Sequence, residues 1–232
     1  MNTSFNAQFT TLFQRIFKEQ TSNVSFGRLI IAVLILAVII HAICIYLKIK
    51  HIKLINPLKE FITICICGYI CVLLSITFFN REPGSRGDIN LSLELTSILL
   101  KTIKQSITSG QILKFTDLLF FNLSIQGQLG FFIYYILNIL LFIPWGFILS
   151  FAYYKENMLK RFYMPTIYSI ITSGCIEIGQ LITKRGYFEV EDLITNIAGG
   201  IIGAILAILI MLIIRLVKKI YKLNGGENDS KI

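Results

Sequence analysis

Residues 162–183 read FYMPTIYSIITSGCIEIGQLIT, an apolar stretch long enough to cross the roughly 30 Å of hydrocarbon in a bilayer. Glu177 stands inside it and Gln180 follows about one helical turn later. A carboxylate in hydrocarbon costs about 2.5–3.5 kcal/mol on insertion scales, so it marks either a buried partner or a function. Just beyond the stretch a second polar group begins, running from Arg185 to Asn196. The reading is a membrane protein with a polar site in one leaflet.

Working outward, composition supports that class. Of 232 residues, 55% are hydrophobic and only 15% charged, where a soluble domain carries about 25% charged residues. The deficit is concentrated in windows of bilayer-spanning length, so one integral membrane domain with short tails is expected. The net charge of +9 does not point to nucleic acid. The basic residues flank the apolar runs and form no stripe interleaved with aromatics, so anionic lipid and the positive-inside rule account for them. Cys44, Cys65, Cys67, Cys71 and Cys175 all lie inside apolar runs. Cys67 and Cys71 can share a helix face, but no His or other polar side chain completes a ligand set, so neither a metal nor any other cofactor is expected. The first apolar run ends without a small-x-small cleavage signature and reads as a retained anchor.

The expected fold is an all-α membrane protein: about five transmembrane helices in one bundle, with a long external loop between the second and third. Residues 1–28 form a tail in which Phe5, Phe9, Leu12, Phe13, Ile16 and Phe17 recur at helical spacing beside Arg15 and Lys18. That suits either a helix in the lipid interface or a frayed tail. Residues 29–79 hold two spans, Leu29–Leu47 and Phe61–Phe79. Residues 80–130 form the external loop, with turn signals at Pro83, Gly84 and Gly87 and strand-like alternation at Ile89, Leu91, Leu93 and Leu95. Within the loop, Leu113–Leu129 is expected as a helix on the membrane surface. Residues 131–217 form a three-helix core, Phe131–Tyr154, Phe162–Thr183 and Leu193–Val217, and residues 218–232 a cytoplasmic tail. Lysines and arginines crowd three segments: Lys48, Lys50, Lys53 and Lys59; Lys155, Lys160 and Arg161; and Arg215, Lys218, Lys219 and Lys222. Placing these in the cytoplasm puts the N-terminus outside and the C-terminus inside. Arg15, Lys18 and Arg28 oppose that placement.

At 100° per residue, Ser173, Glu177, Gln180 and Lys184 share one face of the fourth span, and Asp192, Asn196, Gly199 and Gly203 one face of the fifth. Glycines at a four-residue interval allow close helix approach. The third span contributes Asn138, with Tyr134 and Trp145 on its side; Pro144 should bend it, and Gly146 eases packing around the bend. Glu177 and Asn138 lie about 9 and 10 Å below the same surface at 1.5 Å per residue, Asn196 is expected shallower, and Arg185 and Asp192 at the rim. These groups can satisfy one another, with Glu177 paired to Arg185 or Lys184, or they can form a ligand site. His41 in the first span reads as hydrogen-bonded packing.

The pattern Asn138-x3-Phe142-x-Pro144-x-Gly146, followed by Glu177-x2-Gln180, Arg185, Asp192-x3-Asn196-x2-Gly199 with Gly200 and Gly203, resembles the signature of the VanZ-like family across about Phe131–Ala207. Upstream, Arg86 with Asn90-Leu91 is similar to that family's Arg followed by Asn-Leu-x-Pro-Phe, with Leu93-Glu94 in place of Pro-Phe. The resemblance implies a multipass protein of the bacterial cell envelope, and its founding member is associated with resistance to teicoplanin, a lipid-bearing glycopeptide. The leading expectation is therefore a protein that handles an amphiphile, either a lipoglycopeptide or a lipid-linked wall precursor, among membrane lipids at an outer-leaflet polar site. The residues expected to carry it are Asn138, Glu177, Gln180, Arg185, Asp192 and Asn196, with Arg185 pairing phosphate or carboxylate. The alternatives are an intramembrane enzyme using Glu177 and Asp192 as acid and base, or a small transporter, which five helices without a repeat argue against.

Overall fold

The computed structural model describes residues 3–22, 24–49, 56–79, 81–82, 84 and 87–225. Lys50, Lys53, Pro83 and Arg86, which the sequence reading used, lie outside these residues. The described chain is helical apart from one two-stranded ladder. In order it forms α1 (Thr3–Thr21), α2 (Phe26–Ile49), α3 (Pro57–Leu74), β1 (Ile89–Asn90), α4 (Glu94–Thr108), α5 (Phe115–Ile125), α6 (Leu129–Ala152), α7 (Met158–Ile182), β2 (Phe188–Glu189) and α8 (Val190–Gly225).

Local chemistry sets several starts. Asn56 caps α3 by accepting from the Leu58 amide (3.0 Å), ahead of Pro57 at the first helical position. Asn157 caps α7 in the same way through the Lys160 amide (2.8 Å). At its far end α3 widens into a π-turn over Ser75–Phe79.

Among the described residues, four helices are long and apolar enough to cross a membrane: Phe26–Ile49, Pro57–Phe79, Leu129–Ala152 and Val190–Tyr221. The chain is a multi-pass membrane protein. The sequence reading counted five crossings. The remaining helix, α7, forms where expected and at 25 residues is about 37 Å long, but it is too polar to qualify by composition. The reason is where its polar groups go. Ser169, Ser173, Glu177 and Gln180 are buried within the bundle, while Ile167, Ile170, Ile171, Ile178 and Ile182 face outward. A helix shielded on one side needs apolar residues only on the other. By contrast α2 has no buried residue and rests on α3, where Val33 fills the space beside Gly68 (3.2 Å from an ideal Cβ).

The stretch expected to be a loop is mostly helix. The alternation from Ile89 to Leu95 yields a strand at Ile89–Asn90 only, paired in parallel with Phe188–Glu189; from Glu94 the chain is α4. Leu95, Ile98, Thr102 and Ser106 follow the helical period and form its buried face. With Leu119 and Leu123 of α5 and Tyr135 of α6, Leu95 and Ile98 make a satellite core. The tail helix α1 is tied in by buried Ile16 and by Phe9, edge-on to Phe120 at 5.6 Å.

The main core joins Leu73 of α3, Phe142, Trp145 and Leu149 of α6, and Ile176 of α7. Beside it α6 and α8 meet backbone to backbone. A Cβ on Gly146 would overlap the Gly200 carbonyl, one on Gly199 the Ile139 carbonyl, and one on Gly203 the Ile143 carbonyl. Pro144 lies in this stretch of a continuous α6. It denies the Leu140 carbonyl its usual donor and crowds the turn, and the adjacent Leu141 carbonyl accepts from the Tyr69 hydroxyl (2.6 Å). A neighbouring helix thus donates to α6 beside the carbonyl from which proline withholds a donor.

Gly203→Ala should force the two helices apart and cost about 1–3 kcal/mol, the usual range for overpacking. Gly174→Ala, where a new Cβ meets nothing within 4 Å, should be neutral. Thermal unfolding of the two variants in detergent checks the difference.

Candidate functional site

The antiparallel pair α7–α8 carries a ladder of polar groups that steps four residues at a time along each helix. Ser169 faces Gly200, whose missing side chain makes room for its hydroxyl. One turn on, the Ser173 hydroxyl accepts from Asn196 Nδ2 (2.9 Å). One turn further, Glu177 and Asp192 interact electrostatically across the helix pair. Asp192 therefore lies level with Glu177 and not at the rim, and Asn196 sits a turn deeper than the sequence reading placed it. Asn138 reaches the same level from α6 and interacts with the Asp192 side chain. The structure thus brings Asn138, Glu177, Asp192 and Asn196 together at one end of the bundle.

Glu177 is 1% exposed and Gln180 2%. The segment after α7 folds back over both. Helix α7 ends in a Schellman motif: the Arg185 amide donates to the Gln180 carbonyl (2.9 Å) and the Lys184 amide to the Leu181 carbonyl (3.2 Å). Lys184 adopts φ +52° to make this turn, a conformation that favours glycine. The chain then pairs with β1, and the Glu189 amide donates to Glu177 Oε2 (3.1 Å).

Arg185 does not take the role that spacing suggested. Among the described residues it makes no ion pair with Glu177. Its Nη1 donates to the Phe78 carbonyl (2.9 Å), and the guanidinium lies 5.9 and 6.0 Å from the ring centres of Phe78 and Phe79. Gln180 Nε2 donates to the Thr77 carbonyl (3.0 Å). Both side chains therefore hold the π-turn that ends α3, a device often found at functional sites. Lys184 is exposed.

The cation that faces the acids is Arg81, which the sequence reading passed over as a loop residue. It interacts electrostatically with both Glu177 and Asp192. Gly186 makes room for it: an ideal Cβ there would lie 2.5 Å from Arg81 Nη1 and 3.0 Å from Gln180 Oε1. The sequence singles it out by no pattern, since Arg81 is one of several basic residues at that end, with Lys101, Lys104, Lys114 and Arg185. Glu189 joins the cluster through β2, close enough to act on both acids. Among the described residues the site sets Glu177 and Asp192 against the Arg81 guanidinium, with Glu189 beside them. It also holds two buried acceptors, Gln180 Oε1 and Asn196 Oδ1, with no hydrogen-bond partner among the described residues.

Other polar positions serve the frame. Glu191 accepts from the Thr96 amide in the first turn of α4 (2.8 Å) and bonds the Tyr135 hydroxyl. At the opposite end Arg161 is buried and donates to the carbonyls of Tyr153 (3.2 Å) and Tyr154. It caps the end of α6 and is not a free surface charge. His41 contacts Glu60 on the neighbouring α3. Trp145 stacks on Tyr69 in the core, 6.4 Å between ring centres.

A polytopic helical bundle with an acid-rich cluster buried near one end defines a class of membrane protein. The family model VanZ/LLP1 matches residues 66–213, well over half of the chain, and the chain belongs to the VanZ/LLP1 family. No curated protein and no solved structure matches it.

Two substitutions in one short loop should act in opposite directions. Gly186→Ala must displace Arg81 or Gln180 and should cost about 1–3 kcal/mol. Lys184→Gly removes a left-handed conformation costing roughly 1–2 kcal/mol and should raise the melting temperature. Thermal melts in detergent read both.

Proposed function

We propose that the cluster binds the hydrogen-bond-donating polar end of an amphiphile in the outer leaflet of a bacterial cell membrane. The observation that supports this is the imbalance of the site. Among the described residues, Glu177 and Asp192 both face Arg81, and the buried acceptors of Gln180 and Asn196 add to the surplus. Such a surface suits hydroxyl or ammonium groups and is poorly matched to a lone phosphate. Arg185, held on the Phe78 carbonyl, positions the site wall. Asn138 and Asn196 orient the ligand, and the glycine contacts between α6 and α8 fix the spacing between the helices.

In this reading α7 is a fifth crossing, shielded by α6 and α8. The charge distribution then puts the Glu177 end of the bundle outside, with α4 and α5 at the external surface, and the basic end of α8 in the cytoplasm. Family membership and the resemblance to a teicoplanin-resistance protein suggest lipoglycopeptides or lipid-linked wall precursors as the amphiphile, and a contribution to resistance as the outcome.

A second reading has one observation in its favour. Glu177 and Asp192 face each other from adjacent helices beside Arg81, an arrangement suited to sharing acid and base roles on a lipid-linked substrate. Turnover of such a substrate by purified protein, lost in Glu177→Gln, would select it over binding.

Each charge-assisted bond contributes about 1.5–3 kcal/mol, so Glu177→Gln and Asp192→Asn should each weaken binding roughly tenfold or more. Drug susceptibility is compared at equal protein levels in cells expressing each variant. Protection equal to that of the unaltered protein in both variants would remove the acids from the working site.

A further inference from the structure

A cavity of about 330 Å³ lies between α1, α3 and α6. Its walls are mostly apolar and aromatic, with Phe13 and Phe17 of α1, Val72 of α3, and Leu137 and Leu141 of α6; Gln20, Thr21, Tyr69 and Tyr134 add polar groups. Asn138 also lines it, and the same side chain interacts with Asp192 of the acid cluster. One residue therefore belongs to both the cavity and the polar site. The two spans that form the walls place the cavity at hydrocarbon depth, where lipid chains are the surrounding solvent.

We infer that this slot holds one fatty-acyl chain of a membrane phospholipid whose polar end lies at Asn138. The inference relies on the amphiphile reading for the direction of the polar end; the chain site itself stands on the cavity. Three features support the occupant. Most of the lining is apolar or aromatic, the surface against which a hydrocarbon chain packs. At roughly 30 Å³ per water-sized group the volume holds about eleven such groups, enough for one medium-length chain and too little for two. Amphipathic α1 packs on the membrane-embedded α6 while exposing Arg15 and Lys18, so Phe13 and Phe17 flank the slot on the side of the lipid interface.

The test uses the full chain in phosphatidylglycerol vesicles containing a tracer phosphatidylglycerol with a photoreactive diazirine in its acyl chain. Illumination followed by peptide mapping should concentrate label on the segments around Phe13, Val72 and Leu137. Leu137→Trp and Val72→Trp fill the slot from different walls, and each should reduce that label to the level of the outward α7 face around Ile178. Ile178→Trp, on an exposed position, should leave slot labelling unchanged. Label spread in proportion to surface exposure would overturn the inference. So would undiminished slot labelling in either filling variant that still elutes as a folded, monodisperse protein. The two readings fail separately. Slot labelling with fully protective acid variants removes the acid cluster and keeps the chain site; loss of protection in Glu177→Gln without slot labelling does the reverse.

Discussion

The bundle depends on the approach of α6 to α8 at Gly146, Gly199, Gly200 and Gly203. Lipid tails are as apolar as leucine, so burying hydrocarbon gives helices in a membrane little reason to associate. Dispersion contacts and interhelical polar bonds must do it, and both grow as backbones come closer. With α8 held against α6, its other face turns to α7, and the side chains that meet there are serine, asparagine and carboxylates. The same glycine-rich turn serves both neighbours: Gly200, whose carbonyl lies against Gly146, also gives Ser169 its recess, and one turn on Asn196 meets Ser173.

Two arginines that look like membrane-flanking charges serve instead as donors to helix ends. Arg185 takes a carbonyl at the end of α3, and Arg161 takes two at the end of α6. The last carbonyls of a helix carry partial negative charge and lack intrahelical donors, so a planar guanidinium satisfies them at either end of the bundle. Arg81 differs because its surroundings are side-chain acids. The distinction between these roles is tertiary: each is an arginine next to an apolar run, and only the partner separates them.

Much of the core was legible because its evidence is periodic. The expected Phe131–Tyr154, Phe162–Thr183 and Leu193–Val217 became Leu129–Ala152, Met158–Ile182 and Val190–Gly225; the centres agree and the ends move because caps such as Asn157 decide them. The shared face of Ser173, Glu177 and Gln180 was also visible from the helical period. Depth was less so, since counting from the helix end put Asn196 shallow and Asp192 at the rim, whereas antiparallel pairing sets Asp192 against Glu177. Helix α4 was missed because Leu91, Leu93 and Leu95 mimic a strand before the helical period begins. Arg81 and Glu189 were invisible for another reason. They come from segments over a hundred residues apart, joined by a two-residue ladder too short to leave a pattern.

The carboxylate of Glu191 has an effect beyond its own hydrogen bonds. It grips the Thr96 amide in the opening turn of α4 and the hydroxyl of Tyr135 on α6, one residue before Asp192 on the same turn of α8. The start of α4 is therefore keyed to the acid-bearing turn through this side chain as well as through the β1–β2 ladder. Any rotation of this turn also turns Glu191, and the pull passes to the first turn of α4.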